Sequence, residues 1–164
     1  MPLRCWLAVL WVAALVVLFT HLGDLPLRDW DEALVARVAE EISQRPFPAN
    51  LLPTLWGEPY LNKPPLLHAL IAVPMQLWHG AAPAGSAQQL PPEWLVRGVP
   101  ALVSSLIVPL VALVQWRLRP GDRLAAICTA AVALTLLPLM RHGRLAMLDG
   151  SLIVAMALQW WALL

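Results

Sequence analysis

Charge is scarce in this chain. Of its 164 residues only 13% are Asp, Glu, Lys or Arg, about half the share of an ordinary soluble domain. A soluble globular domain is therefore a poor fit, although the length alone would suit one. The net charge of +1 provides no basic field for a phosphate backbone and so gives no support for nucleic acid as a partner. Cysteine is nearly absent, and Cys5 and Cys128 both lie inside apolar runs. That placement argues for packing rather than a disulfide framework. One Tyr and two Phe stand against nine Trp, and indoles favour membrane–water interfaces. No internal repeat is visible, and no polar tail follows the final "LQWWALL". The expectation is the N-terminal piece of a longer protein.

What the chain does have is apolar length. Its mean hydropathy is +0.68, and residues 5–22, "CWLAVLWVAALVVLFTHL", contain no charged side chain. At about 1.5 Å per residue such a segment just crosses a hydrocarbon core of roughly 30 Å. "FTHLGDLP" lacks small residues at cleavage positions, so an uncleaved span is favoured over a signal peptide. Residues 98–116, 124–140 and 145–164 are three further candidate spans. The predicted fold is all-α and polytopic: about four transmembrane helices, multi-pass, in a cell or plasma membrane.

Arg117, Arg119 and Arg123 crowd the short connection between the second and third spans. By the positive-inside rule that connection is cytoplasmic, and Arg4 places the N-terminus there too. Residues 23–96 then form one large outer loop. Within it, residues 65–79, "PLLHALIAVPMQLWH", have helical spacing but are short for a span, which predicts a helix lying in the interface. Residues 80–92 read as a flexible linker. Arg141, His142, Arg144 and Asp149 fall on the outer side. The two arginines there either snorkel to headgroups or hold an anion such as a lipid phosphate.

Three stretches could carry chemistry. In "RDWDEALVARVAEEI" (28–42), Leu34, Val35, Val38 and Ile42 mark the apolar face of a helix, with Arg37, Glu40, Glu41 and Gln44 opposite. Asp31 falls one turn before Val35, which predicts a carboxylate against the apolar side. Asp29 and Glu32 also resemble a capping box, a purely structural role. In "PYLNKPPLLHAL" (59–70), two prolines stiffen the chain after Lys63 and hold it near a helix start. An ammonium there can bind phosphate as a point charge. In "RHGRLAMLDGSLIVAMAL" (141–158), Asp149 sits near a span end, where an acid should face a cavity or a partner.

Together and in this order, the three motifs resemble the polytopic GT-C glycosyltransferases. The likeness is strongest to the branch containing the lipid A aminoarabinose transferase and the protein O-mannosyltransferases. It implies a polyprenyl-phosphate-linked sugar donor, a lipid, glycan or protein acceptor, and an inverting transfer at the non-cytoplasmic face. By resemblance Asp31, Glu32 and Asp149 are the catalytic acids, with Asp31 the general base. Lys63, Arg144 and Tyr60 are implied to bind the donor phosphate. Asn62 stands where the aminoarabinose transferase carries a Glu that contributes to a metal site. A neutral amide is a poorer ligand for a divalent cation, which argues against that metal arrangement and that sugar and leaves the cofactor open, a divalent metal among the possibilities.

The rival reading is a small non-catalytic membrane protein, a scaffold or transporter piece whose acids only cap helices. The transferase reading expects Asp31, Lys63 and Asp149 to reach one substrate, and expects the 164 residues alone to be inactive.

Overall fold

A computed structural model describes residues 2–81 and 91–164. Most of the expected linker, residues 82–90, lies outside the described residues. The chain divides into two compact units, one of Met1–His21 with Pro100–Leu164 and one of Leu22–Val99.

The first unit is a helical bundle. Helix α1 runs Leu3–Phe19, the C-terminal part of α4 (Glu93–Ser105) leads to α5 (Ile107–Leu118), and α6 (Arg123–Thr135), α7 (Leu137–Gly143) and α8 (Leu148–Leu163) follow. Three contacts fix the helix directions. The Trp11 indole donates to the Ser105 hydroxyl at 2.9 Å. The Arg144 guanidinium donates to the Thr20 carbonyl at the exit of α1. The Arg117 guanidinium lies 5.0 Å from the Trp161 ring centroid. Thr20, Arg144 and the start of α8 therefore share one end of this bundle, and Arg117 with the finish of α8 shares the other. Its outer surface is apolar: Val9, Val12 and Val16 of α1 and Leu152, Met156 and Leu163 of α8 are all exposed.

The apolar segments differ from the expected spans. Taken together, α4 and α5 make Glu93–Leu118, a described stretch of helix long and apolar enough to cross a membrane, which starts five residues earlier than the predicted 98–116. The segment expected at 124–140 is two helices bent by 62°. Pro138 sits in the first turn of α7; its missing N–H and its ring interrupt the ladder from α6. Helices α1 and α8 are apolar but only 17 and 16 residues long, roughly 25 Å each. By length and composition, one or two described helices pass as spans, rather than the four expected.

Small residues let this unit close. A Cβ on Gly150 would lie within 2.0 Å of Ser104 Oγ, and one on Gly143 within 2.9 Å of Ser104 Cβ. Helices α4, α7 and α8 can meet at Ser104 only because both positions lack a side chain. Gly150→Ala is expected to cost about 1–3 kcal/mol through overpacking. Thermal unfolding in detergent checks this.

The second unit covers the residues expected to form the outer loop, and it has a core of its own. Helix α2 (Asp31–Gln44) packs on α3 (Leu66–Ala81). Val35, Val38, Ala39 and Ile42 of α2 meet Leu67, Ile71, Ala72 and Met75 of α3, all buried. Each large aliphatic among them contributes roughly 1.5–3 kcal/mol. Helix α3 begins directly after Pro65, whose carbonyl accepts the Ala69 amide at 2.9 Å. Its other side keeps Leu66, Val73 and Leu77 exposed.

Between the helices lies a short antiparallel hairpin that the all-α reading did not contain. Strands β1 (Thr54–Leu55) and β2 (Glu58–Pro59) pair Thr54 with Pro59 and Leu55 with Glu58. Trp56 and Gly57, at φ 54° and 84°, form the two-residue turn whose twist suits a hairpin.

Candidate active site

The first acidic motif folds differently from its sequence reading. Asp31 is exposed at the start of α2, whereas its neighbour Glu32 is fully buried. The apolar-side position expected for Asp31 belongs to Glu32. Glu32 lies three residues before Val35 and seven before Ala39, so helical spacing also puts it on the packed face of α2. The helix is entered through Trp30, at φ 67° and ψ −57°, the centre of a γ-turn closed by the Asp31 amide on the Asp29 carbonyl at 2.8 Å.

Glu32 meets Arg97 of α4. Arg97 Nε donates to Glu32 Oε1 at 2.8 Å and Nη2 to Oε2 at 2.7 Å, a bidentate pair. Arg97 Nη1 reaches the carbonyls of Leu22 (3.1 Å) and Leu25 (2.7 Å), and Nη2 reaches that of Pro26 (2.9 Å). All five guanidinium donors are used. Glu32 Oε2 also accepts the Arg28 amide at 3.1 Å. The carboxylate thus reaches back to a free backbone donor as in a capping box, but on Arg28, and Asp29 supplies no side-chain cap. The pair ties the entry to α2 onto α4 and fixes the stretch from which Asp31 projects. Sequence reading missed Arg97; its signal is a lone arginine one turn after Glu93, just before an apolar run.

Glu41 departs from its expected solvent face as well. Its carboxylate accepts the Thr54 hydroxyl (2.6 Å), the Trp56 amide (2.7 Å), the Gly57 amide (3.2 Å) and Arg37 Nε (3.1 Å). Burial pushes this carboxyl up, yet the Thr54 hydroxyl, the two amides and the Arg37 charge together hold it below its ordinary value. Glu41 clamps the hairpin turn to α2 and so fixes where Trp56 stands. Non-glycine residues at positive φ cost of order 1–3 kcal/mol each, and both Trp30 and Trp56 are held there.

Lys63 is half-buried, immediately before Pro64, Pro65 and α3. It makes no ion pair with a described carboxylate. Tyr60, given a phosphate-binding role by resemblance, is 7% exposed and packs with Val38, Ile42 and Ala72. Its ring meets the His68 imidazole edge-on at 6.0 Å. A ring so placed holds the chain around Lys63 rather than offering surface of its own. His68 is buried; its Nδ1 lies 3.2 Å from the Pro64 carbonyl, and Nε2 has no hydrogen-bond partner among the described residues. Burial drives the His68 pKa down, with the Lys63 charge adding to it and the Pro64 contact opposing.

A neutral buried imidazole makes stability pH-dependent. Its folded-state pKa lies below the ordinary 6.5, so the stabilisation is complete above that value and is lost as pH falls through the window beneath it. The melting temperature of the wild type is expected to hold above pH 6.5 and to fall as the pH drops below that value. His68→Leu, which cannot charge, is expected to flatten that slope.

Arg144 and Asp149 belong to the other unit. Arg144 is half-buried against the Thr20 carbonyl. Asp149 is exposed in the first turn of α8, where the helix dipole favours an acid. Asp31, Glu32, Tyr60 and Lys63 all belong to the unit Leu22–Val99. Among the described residues no three His, Cys, Asp or Glu side chains gather to hold a metal ion, and Asn62 is exposed. Both cysteines are free.

The family model for dolichyl-phosphate-mannose-protein mannosyltransferases matches residues 57–163. The chain belongs to that family. Mannosyltransferases of this kind are membrane glycosyltransferases of the GT-C type, which supports the resemblance drawn from the three motifs. The matched stretch contains Tyr60, Lys63, Arg144 and Asp149 and starts after Asp31 and Glu32. No curated protein and no solved structure matches the chain.

Proposed function

We propose that this mannosyltransferase-family protein moves a mannosyl group from a polyprenyl phosphate to a hydroxyl of a protein acceptor, at the non-cytoplasmic face of a membrane. The observation that carries the reading is the family match over residues 57–163, which includes the lysine before the double proline. The acceptor oxygen attacks the anomeric carbon, and its proton passes to the Asp31 carboxylate. The bond from that carbon to the phosphate oxygen breaks, and the polyprenyl phosphate leaves with the electron pair. Negative charge grows on the leaving phosphate, so a cation placed there stabilises the transition state more than the ground state. Lys63 takes that part, and Arg144 assists. Asp149 helps to orient the acceptor, and Glu32 acts through its pair with Arg97 by positioning Asp31.

The multi-pass placement is part of the same proposal. It draws support from the apolar outer surface of α1 and α8 and from the charge bias. Arg117 is at one end of the first bundle and Arg119 and Arg123 follow close by in sequence, while Thr20 and Arg144 sit at the other end. Three arginines in a short connection favour the cytoplasmic side for it, and so the non-cytoplasmic side for the Thr20 end.

Transfer by the protein expressed from its native reading frame tests the reading. Membranes carrying it are expected to consume polyprenyl-phosphate mannose and label serine- or threonine-containing peptides. Lys63→Ala is expected to raise the donor KM about tenfold or more, since a charge-assisted phosphate contact contributes roughly 1.5–3 kcal/mol. Absence of label on any peptide, with donor and detergent conditions varied, overturns the reading.

A further inference from the structure

We propose that a groove on the second unit, walled by the indoles of Trp30 and Trp56, is a subsite for the acceptor polypeptide. The proposal rests on the transferase reading above and adds to it the residues that choose the acceptor. The groove has a volume of about 430 Å³ and is lined by Asp29, Trp30, Ala33, Leu34, Arg37 and Trp56. One face of α2 makes its floor. The γ-turn and the hairpin tip make its walls.

Three observations carry the inference. The first is exposure: Trp30 is 78% and Trp56 71% exposed, so neither indole is part of a core. The second is support. Trp56 stands on a turn whose two amides and whose Thr54 hydroxyl all bind the buried Glu41 carboxylate, and Trp30 stands on a turn closed at 2.8 Å. The backbone beneath each indole is thus held in place, and an aromatic side chain has only two torsions left to order on binding. The third is the mixed chemistry of the lining. Asp29 can accept a peptide N–H. Arg37 commits Nε and Nη1 to Glu41 and Glu40 and retains further donors for a peptide carbonyl.

That lining selects among occupants. A lipid chain would bring hydrocarbon against a carboxylate and a guanidinium, which is costly. A phosphate would meet Asp29 as a like charge. A polypeptide offers alternating donors and acceptors together with side chains that cover indole faces. Asp31, the proposed base, directly follows Trp30 in the chain and is exposed. The subsite therefore favours acceptors with an aromatic or aliphatic residue beside the hydroxyl-bearing one.

Trp56→Asn and Trp30→Gly test this without threatening the fold, because each replaces a strained bulky residue by one that accepts positive φ. In membranes with polyprenyl-phosphate mannose, each is expected to raise the acceptor-peptide KM about tenfold. The donor KM should stay unchanged. The preference for an apolar neighbour to the acceptor serine or threonine should vanish. An unchanged acceptor KM overturns the proposal. So does a loss confined to partition onto phosphatidylcholine–phosphatidylglycerol vesicles, which would assign the indoles to the lipid interface. If the wild type transfers nothing, the transferase reading fails separately. Anisotropy of a fluorescein-labelled Ser/Thr peptide, titrated without donor, then decides the subsite: equal binding by wild type and both variants refutes it.

Discussion

Asp31→Asn is expected to leave the protein folded and to cut mannosyl transfer by about 10²- to 10⁴-fold. The carboxylate is exposed and makes no ion pair with a described residue, so its removal should change stability by no more than about 0.5 kcal/mol. Asparagine keeps the shape and loses only the basicity. The loss should therefore appear in kcat, with the donor KM nearly unchanged, because a proton acceptor acts in the transition state rather than in donor binding. Glu32→Gln is the informative contrast. That carboxylate is buried on Arg97, so its neutralisation strands a guanidinium and weakens the fold first. Equal losses of kcat and equal stabilities for the two variants would put the acids in one role. Wild-type turnover by Asp31→Asn would remove Asp31 from the reaction altogether.

That two adjacent acids divide in this way was not legible in the residues. Spacing on an ideal helix puts Asp31 with Val35 on the apolar side, but it also puts Glu32 with Val35 and Ala39, and the Arg97 partner that holds Glu32 inside is 65 residues away in the chain. Nothing in "RDWDE" signals a tryptophan at positive φ. The remaining face of α2 was legible because it follows simple periodicity: Val35, Val38 and Ile42 are buried as their spacing requires. Glu41 escaped for a different reason. Its partners come from a hairpin of two-residue strands, too short to show alternation, and a carboxylate that reads as solvent-facing becomes a buried acceptor once three donors converge on it. The apolar segments were legible as segments but not as spans. Pro138 splits one of them, and the helix containing Glu93 and Arg97 begins before its hydrophobic run does. Lys63, Arg144 and Asp149 were reached through motif order, and the match over residues 57–163 supports the family that the order suggested.

Arg97→Ala should have the largest effect on the fold. It would leave the fully buried Glu32 carboxylate without its counter-charge and the Leu22, Leu25 and Pro26 carbonyls without their donor. Breaking one side of a buried pair costs about 3–5 kcal/mol, a large part of the 5–15 kcal/mol that stabilises a typical domain. Lysine should rescue little, because three donors on a point charge cannot replace five in a planar fork that serves two oxygens and three carbonyls. Glu32→Leu together with Arg97→Met should recover part of the loss, since replacing both charges by apolar groups of similar size removes the stranded ion. The remaining deficit would then belong to the three carbonyls and the Arg28 amide. Urea unfolding of the wild type, the two single variants and the double variant measures the coupling directly. Additive single losses would mean that the pair is screened by water and does not hold the entry to α2. A positive rescue, with transfer still depressed in the double variant, would show that Glu32 and Arg97 support the reaction by fixing the backbone from which Asp31 projects.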